Sequence, residues 1–456
     1  MSLALAFLSV LAPAPIDDAA LAETGRRIVE HQRTRSQAYE HLTELCDDIG
    51  HRLSGSPGAD RAVQWGVEKF RQLGLDARLH RITVPKWVRG RPEDVRITSP
   101  REVRLASLAL GGSIGTGPAG LEAAVMVVDT FDELRERAEE AEGKIVLFNR
   151  AMGPDGEGGT LGYGDVVTQR VGGAIEAARV GAVGSLIRSV GSADFRLPHT
   201  GMMRYQSDVP KIPHVAISSE DADLIARFVA RGKAVHVSMR LDCRDAGEVP
   251  SANVIGELRG RERPDEVVVI AGHLDSWDVG QGALDDGTGV AACIEALRCL
   301  KELDLVPRRS IRAVLYMNEE NGLAGGRAYA EDFAGDMDRH VAAIEMDGGS
   351  FDVQGFGVSA GAGGVEGVRR ILRPLSVIGA HRATVGGGGA DIGPMRALGV
   401  PQIGLRSDSS RYFDYHHTEA DTLDKVDPDA LAECAAALAH LAWALAESEE
   451  PLARLP

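Results

Sequence analysis

Apolar positions along this chain change period several times, and the changes mark its elements. Residues 18–46 carry helical spacing, with Ala19, Ala20, Leu21 and Ala22 early and Tyr39, Leu42 and Leu45 later, and a second helix is expected from Asp60 to Leu73. Residues Asp76 to Val84 alternate as a strand, and an apolar run from Val103 to Leu110 ends at the break Gly111-Gly112-Ser113-Ile114-Gly115-Thr116-Gly117-Pro118. From about 119 to 245 short apolar runs alternate with helical spacing. Strands are expected at Ala123–Val128, Lys144–Phe148 and Ala182–Ile187, with helices at Phe131–Glu140 and Val171–Val180; strands at Pro213–Ile217 and Ala234–Leu241 flank one more helix. Beyond 246 the strands become almost wholly apolar, at Asn253–Leu258, Val267–Ile270, Ile311–Met317, Val341–Met346 and Pro401–Leu405. Such runs suit strands buried on both faces between helices. An Ala-rich helix from Thr288 and a last helix, Pro428–Glu447, with Leu431, Cys434, Leu438 and Leu441 on one side, supply the cover. The fold class is therefore α/β.

Composition narrows the function classes. With 456 residues, 44% of them hydrophobic and 26% charged, the chain can bury full cores in two or three domains. A net charge of -17 argues against nucleic acid or an anionic membrane as partner. No stretch of about 20 apolar residues follows the N-terminus, so no membrane span is expected. Residues 1–17 contain an apolar run, Leu3 to Ala14, ending in Ala-Pro-Ala, but no Lys or Arg precedes Arg26. Export to the periplasm or medium is the expectation, with a cytoplasmic first helix as the alternative. Five cysteines without a close Cys-x-x-Cys pair indicate neither a disulfide framework nor a thiolate metal site. The Gly-rich stretch Met152–Gly164 lacks a Lys-Ser/Thr ending, so a mobile loop is expected there rather than a phosphate cradle.

The chemistry concentrates at strand ends. Val267–Ile270 leads into Gly272-His273-Leu274-Asp275, placing His273 at the carboxyl edge of an α/β sheet, where such folds bind ligands. An imidazole ligand needs an acceptor to fix its tautomer, and Asp275, two residues on, is placed to orient it. Asp285 and Asp286 close a Gly-rich loop before the Thr288 helix, where helix capping and the bridging of two cations are both open readings. The strand Ile311–Met317 ends at Glu319-Glu320. Adjacent carboxylates repel unless they serve positive charge, which suggests that one binds metal while the other takes a proton. Asp347 follows Val341–Met346, and His416-His417 lie near the C-terminus. Each signal is weak alone; together, at successive strand ends, they form a two-metal hydrolytic set.

The long run Gly272-His273-Leu274-Asp275-Ser276-Trp277-Asp278-Val279-Gly280-Gln281-Gly282-Ala283, the following Leu284-Asp285-Asp286-Gly287 and the tail His416-His417-Thr418-Glu419-Ala420-Asp421-Thr422 resemble the M28 zinc peptidases, within them the carboxypeptidase Q branch. The resemblance is strong over about residues 250–430. It implies a three-layer zinc-exopeptidase fold, a mixed central sheet between helices, with an inserted protease-associated domain. The corresponding division is 18–110 for the first part of the peptidase domain, 111–245 for the insertion and 246–456 for the remainder. It further implies two Zn2+ per chain, one on His273 and Asp347, the other on Glu320 and His417, with Asp285 bridging, a cis bond between Asp285 and Asp286, and Glu319 as general base. His416 also reaches the region; the family's His-Thr pattern selects His417. The implied substrate is a dipeptide or short peptide and the implied assembly a homodimer. Arg406, Asp408, Arg411 and Tyr415, upstream of His417, are the candidate substrate contacts, guanidinium for a carboxylate and acid for an amine. The alternatives are an aminopeptidase with the same site, a glutaminyl-cyclase-like acyl transferase, and an inactive receptor-like homologue.

Overall fold

The computed structural model describes residues 17–153, 162–192 and 195–456. The apolar N-terminal run and most of the Gly-rich stretch, on which expectations fell, lie outside the described residues. The strands are, in chain order, β1 (Asp76–Val88), β2 (Asp94–Ser99), β3 (Val103–Arg104), β4 (Ser107–Ala109), β5 (Leu121–Val128), β6 (Ile145–Phe148), β7 (Gly184–Arg188), β8 (His214–Ile217), β9 (His236–Arg240), β10 (Arg244–Leu258), β11 (Arg263–His273), β12 (Arg309–Tyr316), β13 (His340–Glu345), β14 (Val353–Ser359), β15 (Arg382–Val385) and β16 (Gln402–Ser407). They form two eight-stranded sheets, β1-β10-β12-β11-β13-β16-β14-β15 and β3-β2-β9-β5-β6-β7-β8-β4.

The first sheet is mixed, with β12, β11, β13 and β16 parallel at its centre. These strands are apolar because both faces are covered. Val268 and Ile270 point into the main core with the helices Thr288–Glu302 and Pro428–Glu447, whereas Val267, Val269 and Ala271 pack on the other side with Tyr316, Tyr329 and Met395. The three-layer α/β architecture expected from the sequence is the one observed. The helix Pro428–Glu447 has the length and apolarity to cross a membrane, but it is 83% buried inside the molecule and serves as a core helix. All five cysteines are free and buried.

The second sheet is built from residues between β1 and β10. Among them are β2, β3 and β4, which precede the Gly111 break, because β2 pairs with β9 and β3, and β4 with β8, rather than with the first sheet. Several elements differ from their expected bounds. The first helix stops at Arg35 and restarts at Ala38, and Phe131–Glu140 is interrupted at Arg137. The helix expected from Val171 begins at Tyr163, where the Asp165 carboxylate accepts from Gly162 N at 3.0 Å.

Candidate metal centre

The parallel strands deliver the chemistry to one edge. His273 is the last residue of β11, Glu319 and Glu320 follow β12, Asp347 follows β13, and His417 lies in the loop beyond β16. Asp285 sits at their centre, 4% exposed. Its Oδ1 lies 3.1 Å from His273 Nε2 and its Oδ2 lies 3.2 Å from His417 Nε2. His273 Nε2 is also 3.6 Å from Asp347, and His417 Nε2 is 3.0 Å from Glu320. One carboxylate is thus flanked on each side by an imidazole with a further carboxylate. Among the described carboxylates the His416 ring comes near Asp285 alone, at 3.7 Å, and it stacks on the His417 ring at 3.5 Å between centroids.

The electrostatics of this cluster call for cations. Burial pushes the His273 and His417 pKa values down, but the surrounding carboxylates outweigh it, raising His273 well above the usual histidine value and His417 to about 10. Burial, reinforced by the charge of Asp285, lifts Glu320 to about 7, and burial raises Glu319 well above the carboxylate range. Among the described residues, Glu320 Oε1 is buried without a hydrogen-bond donor, a costly state for a carboxylate lone pair. Two imidazoles and three carboxylates match the ligand types of zinc and its neighbours in the transition series.

The supporting contacts show how the sequence builds the site. His273 Nδ1–H donates to the Asp275 carbonyl oxygen at 3.0 Å, fixing the tautomer through the backbone. The Asp275 side chain does something other than orient the imidazole. Its Oδ1 accepts from Asn318 N at 2.7 Å and Glu319 N at 3.1 Å, and its Oδ2 from Glu320 N at 3.3 Å and the Ser54 hydroxyl at 3.1 Å. It ties down the two-glutamate loop, in which Asn318 holds the left-handed region at φ 78°. Asp286 caps the following helix through Gly289 N and also accepts from His273 N, each at 3.0 Å. The Asp285-Asp286 bond is cis.

Three contributors were not assigned a role from the sequence. Arg52, fully buried, donates to the carbonyls of Leu274, Gly50, Gln281 and Gly282, bracing the loop that carries Asp285. Asp421 accepts from Leu284 N at 2.7 Å and Asp285 N at 3.2 Å. The segment around the second sheet also reaches the centre: Thr200 N donates to the His417 carbonyl at 2.9 Å, and His199 Nδ1 to that of His416 at 2.7 Å.

A cavity of about 310 Å³ opens over the ligands, walled by Glu319, Tyr412, His416, Tyr163, Arg170 and Arg204 among others. The four expected substrate contacts are not brought to it. Arg406 turns to the Gly386 carbonyl at 2.9 Å, Asp408 caps Ser410 N at 3.0 Å, and Arg411 bonds to the Tyr415 hydroxyl. Proximity in the chain to His417 fails as a guide because the turn Ser409–Arg411 and the short helix Tyr412–Tyr415 intervene, and it is Tyr412 that this helix buries against the site.

A sheet whose carboxyl edge gathers two imidazoles and two further carboxylates around one buried aspartate, beneath an open cavity, defines a metal-dependent hydrolase. The chain belongs to peptidase family M28, whose model matches residues 253–442. It is 39% identical to carboxypeptidase Q of Mus musculus over 92% of this chain and 88% of that one, and 38% identical to the Homo sapiens protein over 92% and 88%. Among solved structures, a peptidase M28 precursor from Shewanella amazonensis SB2B superposes with a TM-score of 0.92 at 39% identity, covering 96% of this chain and 100% of that one. A zinc aminopeptidase from Bacillus subtilis shares the fold, with a TM-score of 0.66 at 20% identity over 89% and 93%.

Proposed function

We propose that this chain is a two-zinc exopeptidase that hydrolyses dipeptides or short peptides, in the manner of a carboxypeptidase Q. The observation that carries the reading is the symmetry about Asp285, with His273 and Asp347 on one side and His417 and Glu320 on the other. His273 and Asp347 would hold one zinc, Glu320 and His417 the second, and Asp285 would bridge them. When bound, zinc supplies Lewis acidity that polarises a peptide carbonyl and acidifies water. The protein does the rest. Glu319 is held at the cavity by its own N–H on Asp275 and coordinates nothing in this assignment, so its carboxylate takes the proton of the attacking water and returns it to the leaving amine. Tyr412, on the same wall, would offer its phenol to the developing oxyanion. A cavity of about 310 Å³ sits at the small end of ligand pockets, which suits two residues better than a long peptide.

The test is Glu319→Gln, with metal content and turnover of a dipeptide measured on the same preparation. The expected result is near two zinc per chain with turnover reduced by roughly 10²–10⁴-fold. Near-normal turnover removes Glu319 from the base role, and a metal content near one per chain favours an acyl transferase.

A further inference from the structure

Between β7 and β8, residues 199–204 cross from the second sheet to the metal centre and use their two edges differently. One edge meets Gly111 in a parallel bridge at Met202: Gly111 N donates to the Gly201 carbonyl and Met203 N to the Gly111 carbonyl, each at 2.9 Å. The other edge grips His417. Thr200 N donates to the His417 carbonyl at 2.9 Å, and the Thr200 carbonyl accepts from His417 Nδ1 at 3.3 Å.

Met202 turns its main chain to the second edge. The peptide bonds on either side of it are trans, and in a trans peptide the N–H and the C=O point opposite ways. Because the Gly201 carbonyl faces Gly111, Met202 N–H faces away from it. Because Met203 N–H faces Gly111, the Met202 carbonyl faces away as well. Thr200 and Met202 stand two residues apart and so share a direction. The next pair of main-chain groups along the edge that grips a metal-centre histidine is therefore free: among the described residues, neither Met202 N nor Met202 O has a hydrogen-bond partner. Met202 borders the cavity over the metal centre, together with Asp285, Glu319, Asp347 and His417, and is half-buried between the buried Gly201 and Met203. Buried main-chain groups are nearly always paired, and on this edge the cavity is what lies opposite.

A free donor and a free acceptor on one residue match a residue of an extended peptide, which offers an N–H and a C=O at the same spacing. We infer that the peptide substrate lies along residues 200–202 as an added strand, with one of its residues opposite Met202: that residue's N–H donates to the Met202 carbonyl, and its main-chain oxygen accepts from Met202 N–H. This rests on the exopeptidase reading above and deepens it, since it names an extended main chain as what this wall of the cavity recognises. Main-chain pairing is indifferent to side chains, so it selects peptides as a class. It also ties substrate to metal centre, because the segment that pairs with the peptide at Met202 holds His417 at Thr200.

The experiment reads the two main-chain groups directly. The chain has ten methionines, so labelling methionine alone, at the backbone nitrogen and carbonyl carbon, leaves few enough NMR signals to follow Met202, identified by its loss in Met202→Leu. In peptide-free, zinc-loaded wild-type protein the Met202 amide is expected to exchange with solvent roughly 10-fold or more faster than those of Met203, Met317 and Met346, which are bonded to Gly111 O, Asn253 Oδ1 and Ala271 O at 2.9, 3.0 and 3.0 Å. Equal protection of Met202 overturns the proposal. In zinc-loaded Glu319→Gln protein, saturation with the dipeptide alanyl-alanine, its binding followed by calorimetry, is expected to move the Met202 amide proton and carbonyl carbon downfield and to slow the exchange by roughly 10-fold. Calorimetric binding with both Met202 signals unmoved also overturns it. Hydrolysis of the dipeptide by the wild-type enzyme is scored separately. Cleavage with a silent Met202 removes the added strand and leaves the exopeptidase reading standing, whereas a responsive Met202 without cleavage fails that reading and leaves a peptide-binding edge. If the dipeptide does not bind, both fall.

Discussion

Asp275→Asn isolates the one carboxylate from which both glutamates of the β12 loop hang. The side chain is fully buried and accepts four hydrogen bonds, three from successive backbone N–H groups and one from Ser54. Asparagine keeps the volume and one oxygen, so Asn318 N and Glu319 N retain an acceptor. The new amide NH2 then faces Glu320 N, donor against donor, while the Ser54 hydroxyl rotates to accept. One buried N–H left without an acceptor costs about 1–3 kcal/mol, and two bonds lose their charge assistance. The loss is partly offset, because burial raises the Asp275 pKa and so already penalises its charge. The expected fall in stability is therefore about 1–3 kcal/mol. The larger effect falls on chemistry: Glu319 and Glu320 shift together, and misplacement near 1 Å costs on the order of 10²-fold in rate. Dipeptide turnover, zinc content and thermal unfolding of the variant give the three readouts. Wild-type kcat in folded, zinc-loaded Asp275→Asn would refute the reasoning, since it would mean that the loop holds its place without this carboxylate.

Arg52→Met should destabilise the protein by about 3–5 kcal/mol, with Arg52→Lys rescuing little, because four carbonyls, those of Leu274 and Gly282 fully buried, lose donors that a lysine cannot supply in that fork; a thermal melt near wild type would contradict this. Gly191→Ala places a Cβ 2.0 Å from the His199 ring and should push that imidazole off the His416 carbonyl, costing about 1–3 kcal/mol and lowering zinc occupancy; an unaltered zinc titration would count against the coupling. Burial holds the His440 pKa down at about 4, with Nε2–H donating to the Ile371 carbonyl at 2.9 Å. The neutral ring favours the folded state, so its contribution is complete above the unfolded value of about 6.5 and is lost as pH falls through about 4. The stability difference between wild type and His440→Leu should accordingly shift by about 3 kcal/mol in favour of the variant across that window, and a pH-independent difference excludes a buried neutral ring. Chelation should lower the melting temperature and zinc restore it, by about 2.7 kcal/mol at a hundred times Kd; identical melts with and without metal would remove zinc from the fold's energetics.

The parts of the site legible in the sequence were those placed by strand geometry. His273, Glu319, Glu320 and Asp347 each follow a buried apolar run, and the sheet brings such ends together whatever the loops do. The parts that were not legible depend on contacts between distant segments. Arg52 serves carbonyls more than two hundred residues away, and Arg170 meets His417 across 247 positions, with no local pattern to mark either. Arg406 and Arg411 misled because nearness in the chain stood in for nearness in space. Among strands, β14 and β15 escaped notice for related reasons. Gly355 at φ 140° interrupts the apolar alternation of β14, and β15 exposes all but Ala383. The asymmetry is physical: burial on both faces writes a strong one-dimensional signal, and edge strands do not need one.

Gly272–Gly282 serves both layers at once. His273 and Asp275 lie at the metal centre, whereas Trp277 is 2% exposed within the core of the second sheet, where a Cβ on Gly111 would stand 2.0 Å from its ring. Asp278 pairs with Arg89 at 2.6 Å, and Arg89 reaches on to the Ala109 carbonyl at 2.7 Å and the Thr200 hydroxyl at 3.3 Å. Thr200 N in turn holds the backbone of His417. A closed path therefore runs from one side of the metal centre, through the second sheet, to the other side. Motion of that sheet relative to the first cannot leave the spacing of His273 and His417 untouched. The residues that shape the cavity and the residues that hold the metal are positioned by the same contacts.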